Sequence, residues 1–183
     1  MQEVSILLFK DFVKSFLFSL YYKLPNYPSY PKAYKYFDSY RNFIHKRFLK
    51  ELGEKTFLRD NVRFTHNRNI SIGDNGIVGP NTILNAVEKI TIGHDFLGGP
   101  ELIIYTAEHG LENGETPFSQ QSNTSAPVTI GNNVYVGARV IILKGVTVGD
   151  NVVIGSGSVV TRNLESNAIY AGNPAKLIKK LSQ

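Results

Sequence analysis

Ile130, Val136, Ile142, Val148, Ile154 and Val160 recur every six residues without a break. Four of the six are followed directly by glycine, at Gly131, Gly137, Gly149 and Gly155. An earlier block keeps the spacing in Ile72-Gly73, Val78-Gly79 and Leu84, and resumes at Ile92-Gly93 after a two-residue shift. Six is neither the period of a helix nor that of a plain alternating strand. A short strand followed by a tight turn satisfies it, because one apolar side chain per repeat then points into a common interior. Gly or Asn supplies the turn conformations that β-branched residues avoid. Three such strands make one coil of a triangular prism, three sixes long, and stacked coils bury a continuous apolar column while pairing their backbones. The repeat predicts a mainly β protein, a parallel β-helix over residues 57–174.

The segment before the repeats, residues 1–56, reads as a helical extension. Ile6, Phe9, Val13, Phe16, Leu17 and Leu20 lie on one face of a helix over 4–22, with Lys10, Asp11 and Lys14 on the other. That apolar face suits packing on the protein or docking on a membrane surface. Lys10, Asp11 and Lys14 interrupt it well before the ~20 apolar residues of a membrane span, and its start lacks the positive charge of a secretory signal. Three prolines, Pro25, Pro28 and Pro31, make the next stretch an extended connector. A second helix is predicted from the stripe Phe37, Tyr40, Ile44, Phe48 and Leu52, with Gly53 as its C-cap. At the other end, residues 175–183 read as a short C-terminal helix.

Charge follows this division. Residues 1–68 hold 13 Lys and Arg against 6 Asp and Glu, whereas residues 69–183 hold 7 against 9. A basic first third suits an anionic ligand or surface, or is a solvated face. With no cysteine, disulfides, thiolate metal sites and a cysteine nucleophile are excluded. Sixteen glycines without a Gly-X-Y period exclude collagen.

Ile130-Gly131-Asn132-Asn133-Val134-Tyr135-Val136-Gly137-Ala138, with the coils through Thr161, resembles the hexapeptide-repeat acetyltransferases. Ala171-Gly172-Asn173-Pro174-Ala175-Lys176 is similar to the closing motif of that family's sugar O-acetyltransferases, of the galactoside and maltose acetyltransferase type. The resemblance covers roughly residues 57–180. It implies a left-handed coil, against the usual right-handed crossover, a homotrimer with active sites between subunits, and acetyl-coenzyme A as cosubstrate with no metal. The N-terminal extension is similar to that of enzymes from capsule, lipopolysaccharide and exopolysaccharide pathways. A sugar or polysaccharide acceptor, work in the cytoplasm or at the inner face of the membrane, and contact of the N-terminal helix with that membrane are what this likeness implies.

Tyr105-Thr106-Ala107-Glu108-His109-Gly110 ends the first repeat block, and a polar loop at about 110–126 interrupts the pattern. Long loops on rigid scaffolds commonly carry function. His109 resembles the family's catalytic histidine in placement. Acetyl transfer to an alcohol needs a base near neutral pH, which imidazole supplies. Many sugar-modifying relatives have an Asp three residues before this histidine, where Thr106 stands here. Glu108 is then the candidate orienting group, and Asn85, near the end of the preceding coil, the candidate acceptor-binding residue. By resemblance, the turn at Ala138 offers a backbone N–H to the oxyanion. Ser156 and Thr161 match positions that contact pantetheine, and Arg162, Lys176 and Lys179 match positions near the nucleotide phosphates. The remaining histidines, His45, His66 and His94, read as surface residues.

Three other readings share some of these features. The first is N-acetylation of an amino sugar or antibiotic on the same scaffold. A non-catalytic trimeric scaffold that binds membrane or glycan is the second. A zinc-dependent carbonic anhydrase of related fold is the third, and it lacks the three histidine ligands such a site needs. No nucleic-acid-binding module is recognisable.

Overall fold

The structure, a computed structural model, describes residues 34–110, 114 and 116–182, with side chains from Tyr40 onward. The amphipathic segment 4–22 and the proline-rich connector lie outside the described residues. What is described is a left-handed parallel β-helix with one helix before it.

Its strands stack into three faces. The first face contains β1 (Glu51–Leu52), β4 (Ile70–Ile72), β7 (Ile90–Ile92), β12 (Val128–Ile130) and β15 (Thr147–Val148). On the second lie β2 (Phe57–Leu58), β5 (Ile77–Val78), β8 (Leu97–Gly98), β13 (Tyr135–Val136), β16 (Val152–Ile154) and β18 (Ala168–Ala171). The third holds β3 (Arg63–Thr65), β6 (Ile83–Asn85), β9 (Ile103–Tyr105), β14 (Ile141–Ile142) and β17 (Val159–Val160). Leu52, Ile72, Ile92, Ile130 and Val148 line the interior from the first face, and Leu84, Ile104, Ile142 and Val160 from the third. On the second face Gly98 takes an interior position. A Cβ there would come within 2.8 Å of Phe96 Cε1, so the Phe96 ring fills that space.

The register shows where coil length varies. Partners on the first face are twenty residues apart early on (Glu51 with Ser71, Ser71 with Thr91) and eighteen apart later (Thr129 with Thr147). The steps from first to second face and from second to third are always six, as in Ser71, Ile77, Ile83 and Thr129, Tyr135, Ile141. All surplus residues lie at the corner between the third face and the first.

The glycines that follow the repeat's apolar residues serve a different purpose from the predicted one. Gly73, Gly93 and Gly131 do not occupy the left-handed region; Asn75, Asp95 and Asn133, two residues later, do, at φ of 58°, 57° and 53°. Those glycines are small because the coils touch. A Cβ on Gly73 would lie 2.8 Å from the Gly93 carbonyl carbon, and one on Gly93 would lie 2.7 Å from Gly131 O. Between them runs a ladder of side-chain acceptors. The Glu54 N–H donates to Asp74 Oδ1 (2.6 Å), Asp74 N–H to His94 Nδ1 (3.0 Å), and His94 N–H to Asn132 Oδ1 (2.9 Å). Asn132 N–H continues it to Asp150 Oδ1 (2.6 Å), and Asp150 N–H to Ser166 Oγ (2.9 Å). His94 is exposed, as expected of a turn residue, and acts here as one rung.

Outward residues differ by face. The first face presents Ser71, Thr91, Thr129 and Thr147. Along the second runs Phe57, Ile77, Leu97, Tyr135, Val153 and Ile169, and along the third Ile83, Ile103, Ile141 and Val159. Apart from Arg63 and Glu51, which take the outward positions of the third and first faces in the first coil, two faces of the prism are therefore apolar outside as well as inside, and the other is hydroxylic.

Helix α1 (Tyr34–Phe48) ends earlier than the stripe predicted. After Leu49, whose N–H donates to His45 O, the Lys50 N–H pairs with Ile70 O and the chain is already in the first coil. Leu52 is thus a β-helix core residue, and Gly53 is no helix cap, since its N–H donates to Ile72 O. The solenoid starts at residue 51, ahead of the predicted 57. Proximity of the coils decides this: the next strand offers hydrogen-bond partners that a further helical turn would leave unmet.

His45 is the clearest correction among the histidines. It is 1% exposed, with its ring edge-on to Phe64 at 5.9 Å. Burial, reinforced by the Arg41 charge, pushes its pKa down from 6.5 to about 3. Arg41, 2% exposed, pairs with Asp60 of the first coil at 2.7 Å. The docked face of α1 thus combines Ile44 with two polar residues one turn apart, which an apolar stripe does not reveal. Asn42 Nδ2 donates to Thr56 O at 2.6 Å and ties the helix down further.

The predicted C-terminal helix is instead a strand, β19 (Lys176–Lys180). It runs antiparallel to β18, pairing Ala171 with Lys176 and Ala168 with Lys180. The turn through Gly172, at φ 104°, reverses the chain onto the open edge of the last coil. There a strand satisfies backbone groups that a helix would leave unpaired. All five residues are exposed.

Candidate active site

The chain leaves the prism after Thr106 and rejoins it at Ala126, at the corner where coil length varies. Two short strands close the neck of this excursion: β10 (Ala107–Glu108) pairs antiparallel with β11 (Thr124–Ser125). Farther out a turn of 3₁₀ helix, Phe118–Gln120, carries an exposed Phe118. The chain rejoins the coil where Ala126 N–H donates to Thr106 O at 2.9 Å.

His109 follows β10 directly, at the top of the neck. Its ring is exposed and makes no hydrogen bond or ion pair among the described residues. Glu108, one residue earlier, is engaged elsewhere: its carboxylate lies 3.5 Å from Lys144 Nζ, on the next coil. Ser125, across the neck, donates to Glu88 Oε1 at 3.2 Å.

Thr106 is fully buried. Its Oγ1 donates to Asn85 O at 2.9 Å and accepts from Glu88 N–H at 2.9 Å, while its own N–H donates to Asn85 O at 3.1 Å. The hydroxyl therefore faces the coil below and not the imidazole. Asn85 ends β6 beside this neck, half-buried, and its Oδ1 accepts from Thr65 Oγ1 at 3.2 Å. Asn85 and His109 are linked through Thr106.

Ala138 and Ser156 lie at a different corner, between the second and third faces. The Ala138 N–H donates to Ser156 Oγ at 3.1 Å, so the two predicted donor-site residues are in contact and occupy each other. The width of the third face, spanned here by β14, separates this corner from the one that carries His109. Thr161 and Arg162 are exposed in the turn after β17, and Lys176 and Lys179 are exposed on β19. Next to them Lys180 pairs with Glu165 at 2.6 Å, which lowers the Glu165 pKa and raises that of Lys180.

Sequence reasoning missed Lys144 and Ser125 because each meets its partner only through the coil stacking, many residues away. The signal that could have found Lys144 is its place at the same corner as the loop, one coil on. Among the described residues no group of three potential ligands could hold a metal ion, and no helix is long and apolar enough to cross a membrane.

Comparison with known proteins converges with this geometry. Residues 127–162 match the family model of the bacterial transferase hexapeptide, six repeats. The galactoside O-acetyltransferase of Escherichia coli is 34% identical over 147 residues, which cover 78% of this chain and 69% of that protein. A protein of the same bacterium, WbbJ, whose name describes a lipopolysaccharide biosynthesis O-acetyl transferase, is 34% identical over 118 residues, 61% of this chain and 60% of that one. The solved structure of a galactoside acetyltransferase in complex with coenzyme A superposes with a TM-score of 0.79 at 30% identity, over 93% of this chain and 80% of that one. With the coiled repeat, the extruded histidine loop and these likenesses together, the chain belongs to the hexapeptide-repeat acetyltransferases, acyltransferases that use acetyl-coenzyme A.

Proposed function

We propose that this O-acetyltransferase moves the acetyl group of acetyl-coenzyme A to a sugar hydroxyl of a bacterial surface polysaccharide or its precursor, in the cytoplasm, with His109 as general base. The observation that carries this reading is His109 itself: an exposed imidazole without a partner among the described residues, held at the neck of a loop on a rigid scaffold. The unprotonated ring nitrogen takes the acceptor's hydroxyl proton as that oxygen attacks the thioester carbonyl carbon. The tetrahedral intermediate carries its negative charge on the former carbonyl oxygen. The Ala138 N–H is the candidate donor to that oxygen, released from Ser156 Oγ as the substrate arrives. When the carbon–sulfur bond breaks, His109 returns the proton to the coenzyme A sulfur.

A trimer would complete the site. His109 and the Ala138–Ser156 turn of one chain stand on opposite edges of the third face, so the loop of one subunit meets the donor turn of the next. The apolar outer stripes of the second and third faces support such packing, each suited to cover the other in a closed ring. Asn85 beside the neck would bind the acceptor. Thr161, Arg162, Lys176 and Lys179 would receive the pantetheine and phosphates toward the C-terminal end. The segment 4–22 would supply contact with a membrane that carries lipid-linked acceptors.

The test is incubation with acetyl-coenzyme A and a panel of oligosaccharides, lipid-linked sugars, nucleotide sugars and amino sugars, following thiol release and product mass. An alkali-labile ester on a glycan is the expected product. Turnover confined to amines, with an alkali-stable amide, would overturn the assignment to hydroxyls in favour of N-acetylation.

A further inference from the structure

Thr106, three residues before His109, is fully buried, and its side chain does not face the imidazole. Four hydrogen bonds converge on this one residue. Its N–H and Oγ1 both donate to Asn85 O (3.1 and 2.9 Å), its Oγ1 accepts from Glu88 N–H (2.9 Å), and its carbonyl accepts from Ala126 N–H (2.9 Å). The first three anchor it to the end of the coil below. The fourth ties the chain that returns from the loop to the chain that leaves for it. Thr106 is thus the node at which the outgoing and returning chains of the loop neck are pinned to the prism, with no exposure to solvent.

We infer that Thr106 is a positioning residue for acetyl transfer: it holds His109 by fixing the backbone of the loop neck, and it fixes Asn85 with the same hydroxyl. The inference rests on the reading of His109 as the base. An orienting carboxylate would act on the imidazole directly. Here the ring has no such partner among the described residues, and the constraint enters three residues earlier through the main chain. Two weaker pins assist, Glu108 to Lys144 at 3.5 Å and Ser125 to Glu88 at 3.2 Å, each joining one strand of the neck to a coil. Small displacement of a base from its attack geometry costs rate steeply, up to about 10²-fold for about 1 Å. The turn at Ala138, proposed to meet the donor, lies on another edge and its N–H is bonded to Ser156 Oγ.

Thr56 provides a matched control. It is equally buried, and its Oγ1 donates to Gly73 O (2.6 Å) and accepts from Gly76 N–H (2.9 Å), the same pair of bonds far from the loop. The experiment compares Thr106→Val, Thr106→Ser and Thr56→Val in the full-length protein. Thr106→Val is expected to lower kcat about ten-fold or more and to raise the KM for the acceptor, with the KM for acetyl-coenzyme A unchanged. Thr106→Ser is expected to restore kcat, and Thr56→Val to lower Tm with no loss of kcat. Equal kcat loss in Thr56→Val, or wild-type kcat in Thr106→Val, would overturn the proposal. Two nuclear magnetic resonance readouts do not need activity. In the wild type, the Glu88 and Ala126 amides should exchange as slowly as core amides. In Thr106→Val, the His109 imidazole signals should shift or broaden. Fast exchange in the first, or unchanged signals in the second, refutes the pinning role whether or not the wild type acetylates anything. A wild type that acetylates nothing but shows both signatures refutes the proposed function and leaves Thr106 as the pin.

Discussion

The backbone N–H of Ala138 donates to the hydroxyl of Ser156, one coil away, at 3.1 Å. An oxyanion at this turn therefore competes with a protein acceptor for the same proton. Ser156→Ala removes the competitor, so kcat should hold or rise. If the hydroxyl also touches pantetheine, the KM for acetyl-coenzyme A should increase about five-fold, the equivalent of one hydrogen bond worth about 1 kcal/mol. Steady-state kinetics at saturating acceptor separate the two effects. A fall of kcat beyond about ten-fold would show that the hydroxyl assists the transition state.

His109→Ala should reduce kcat by about 10²-fold or more while Tm moves by less than about 1 °C, because an exposed ring with no partner among the described residues contributes little to stability. Thermal unfolding measured beside the kinetics distinguishes loss of a base from loss of the fold. Full activity in this variant would remove His109 from the mechanism.

His45 makes stability depend on pH. In the folded chain its pKa is lowered to about 3, against 6.5 for an ordinary histidine. As pH falls through 6.5 the unfolded chain takes up a proton and the folded one does not. The stability due to the neutral buried ring is thus complete above pH 6.5 and lost progressively toward pH 3. Urea unfolding at pH 7.5 and pH 5 should differ by about 2 kcal/mol from this residue. His45→Gln should remove that difference, whatever it does to stability at pH 7.5. An undiminished pH dependence in the variant would mean that His45 is not its source.

The pair formed by Arg41 and Asp60 fastens α1 to the first coil. Asp60→Asn should destabilise the protein by about 3 kcal/mol, since it removes the carboxylate charge that lies 2.7 Å from a buried guanidinium. Replacing both residues by apolar ones of similar size should cost less than the single change, which chemical denaturation of the two variants would show.

Two glycines should respond differently to alanine. At Gly73 the added methyl would meet the Gly93 backbone at 2.8 Å, so coils must separate and a loss of about 2 kcal/mol or more is expected. Gly157, at φ 72°, has nothing within 4 Å, so alanine there should cost about 1 kcal/mol, from the backbone alone. Gly157→Asn should recover most of that, as asparagine tolerates this region, whereas Gly73→Asn should be worse than Gly73→Ala.

The prism was legible because its signal is one-dimensional. Each inward Ile or Val repeats at a fixed interval, and Val136 or Ile154 can be assigned to the core without knowing what it touches. His109 was legible as the histidine at the interruption. What could not be read were contacts between coils, which join residues separated by a whole turn of the prism. The role of Gly73 depends on Gly93, the burial of His45 on Phe64 and Arg41, and the engagement of Glu108 on Lys144. The closing segment was misread for a related reason. Lys176–Lys180 has no periodicity that separates helix from strand, and the deciding fact is the unpaired edge of β18 beside it.

Because every surplus residue enters at a single corner, the prism has two edges of invariant length and one that can accept insertions. The excursion that bears His109 grows from the tolerant edge, and the turn of Ala138 and Ser156 sits on an invariant one. The loop that bears His109 can therefore be lengthened, shortened or exchanged without a change of register anywhere else. The turn of Ala138 and Ser156 has no such latitude, since one added residue there would turn every following side chain inside out. Under the proposed function, diversity of acceptors on a constant donor would be a property of the coil's geometry.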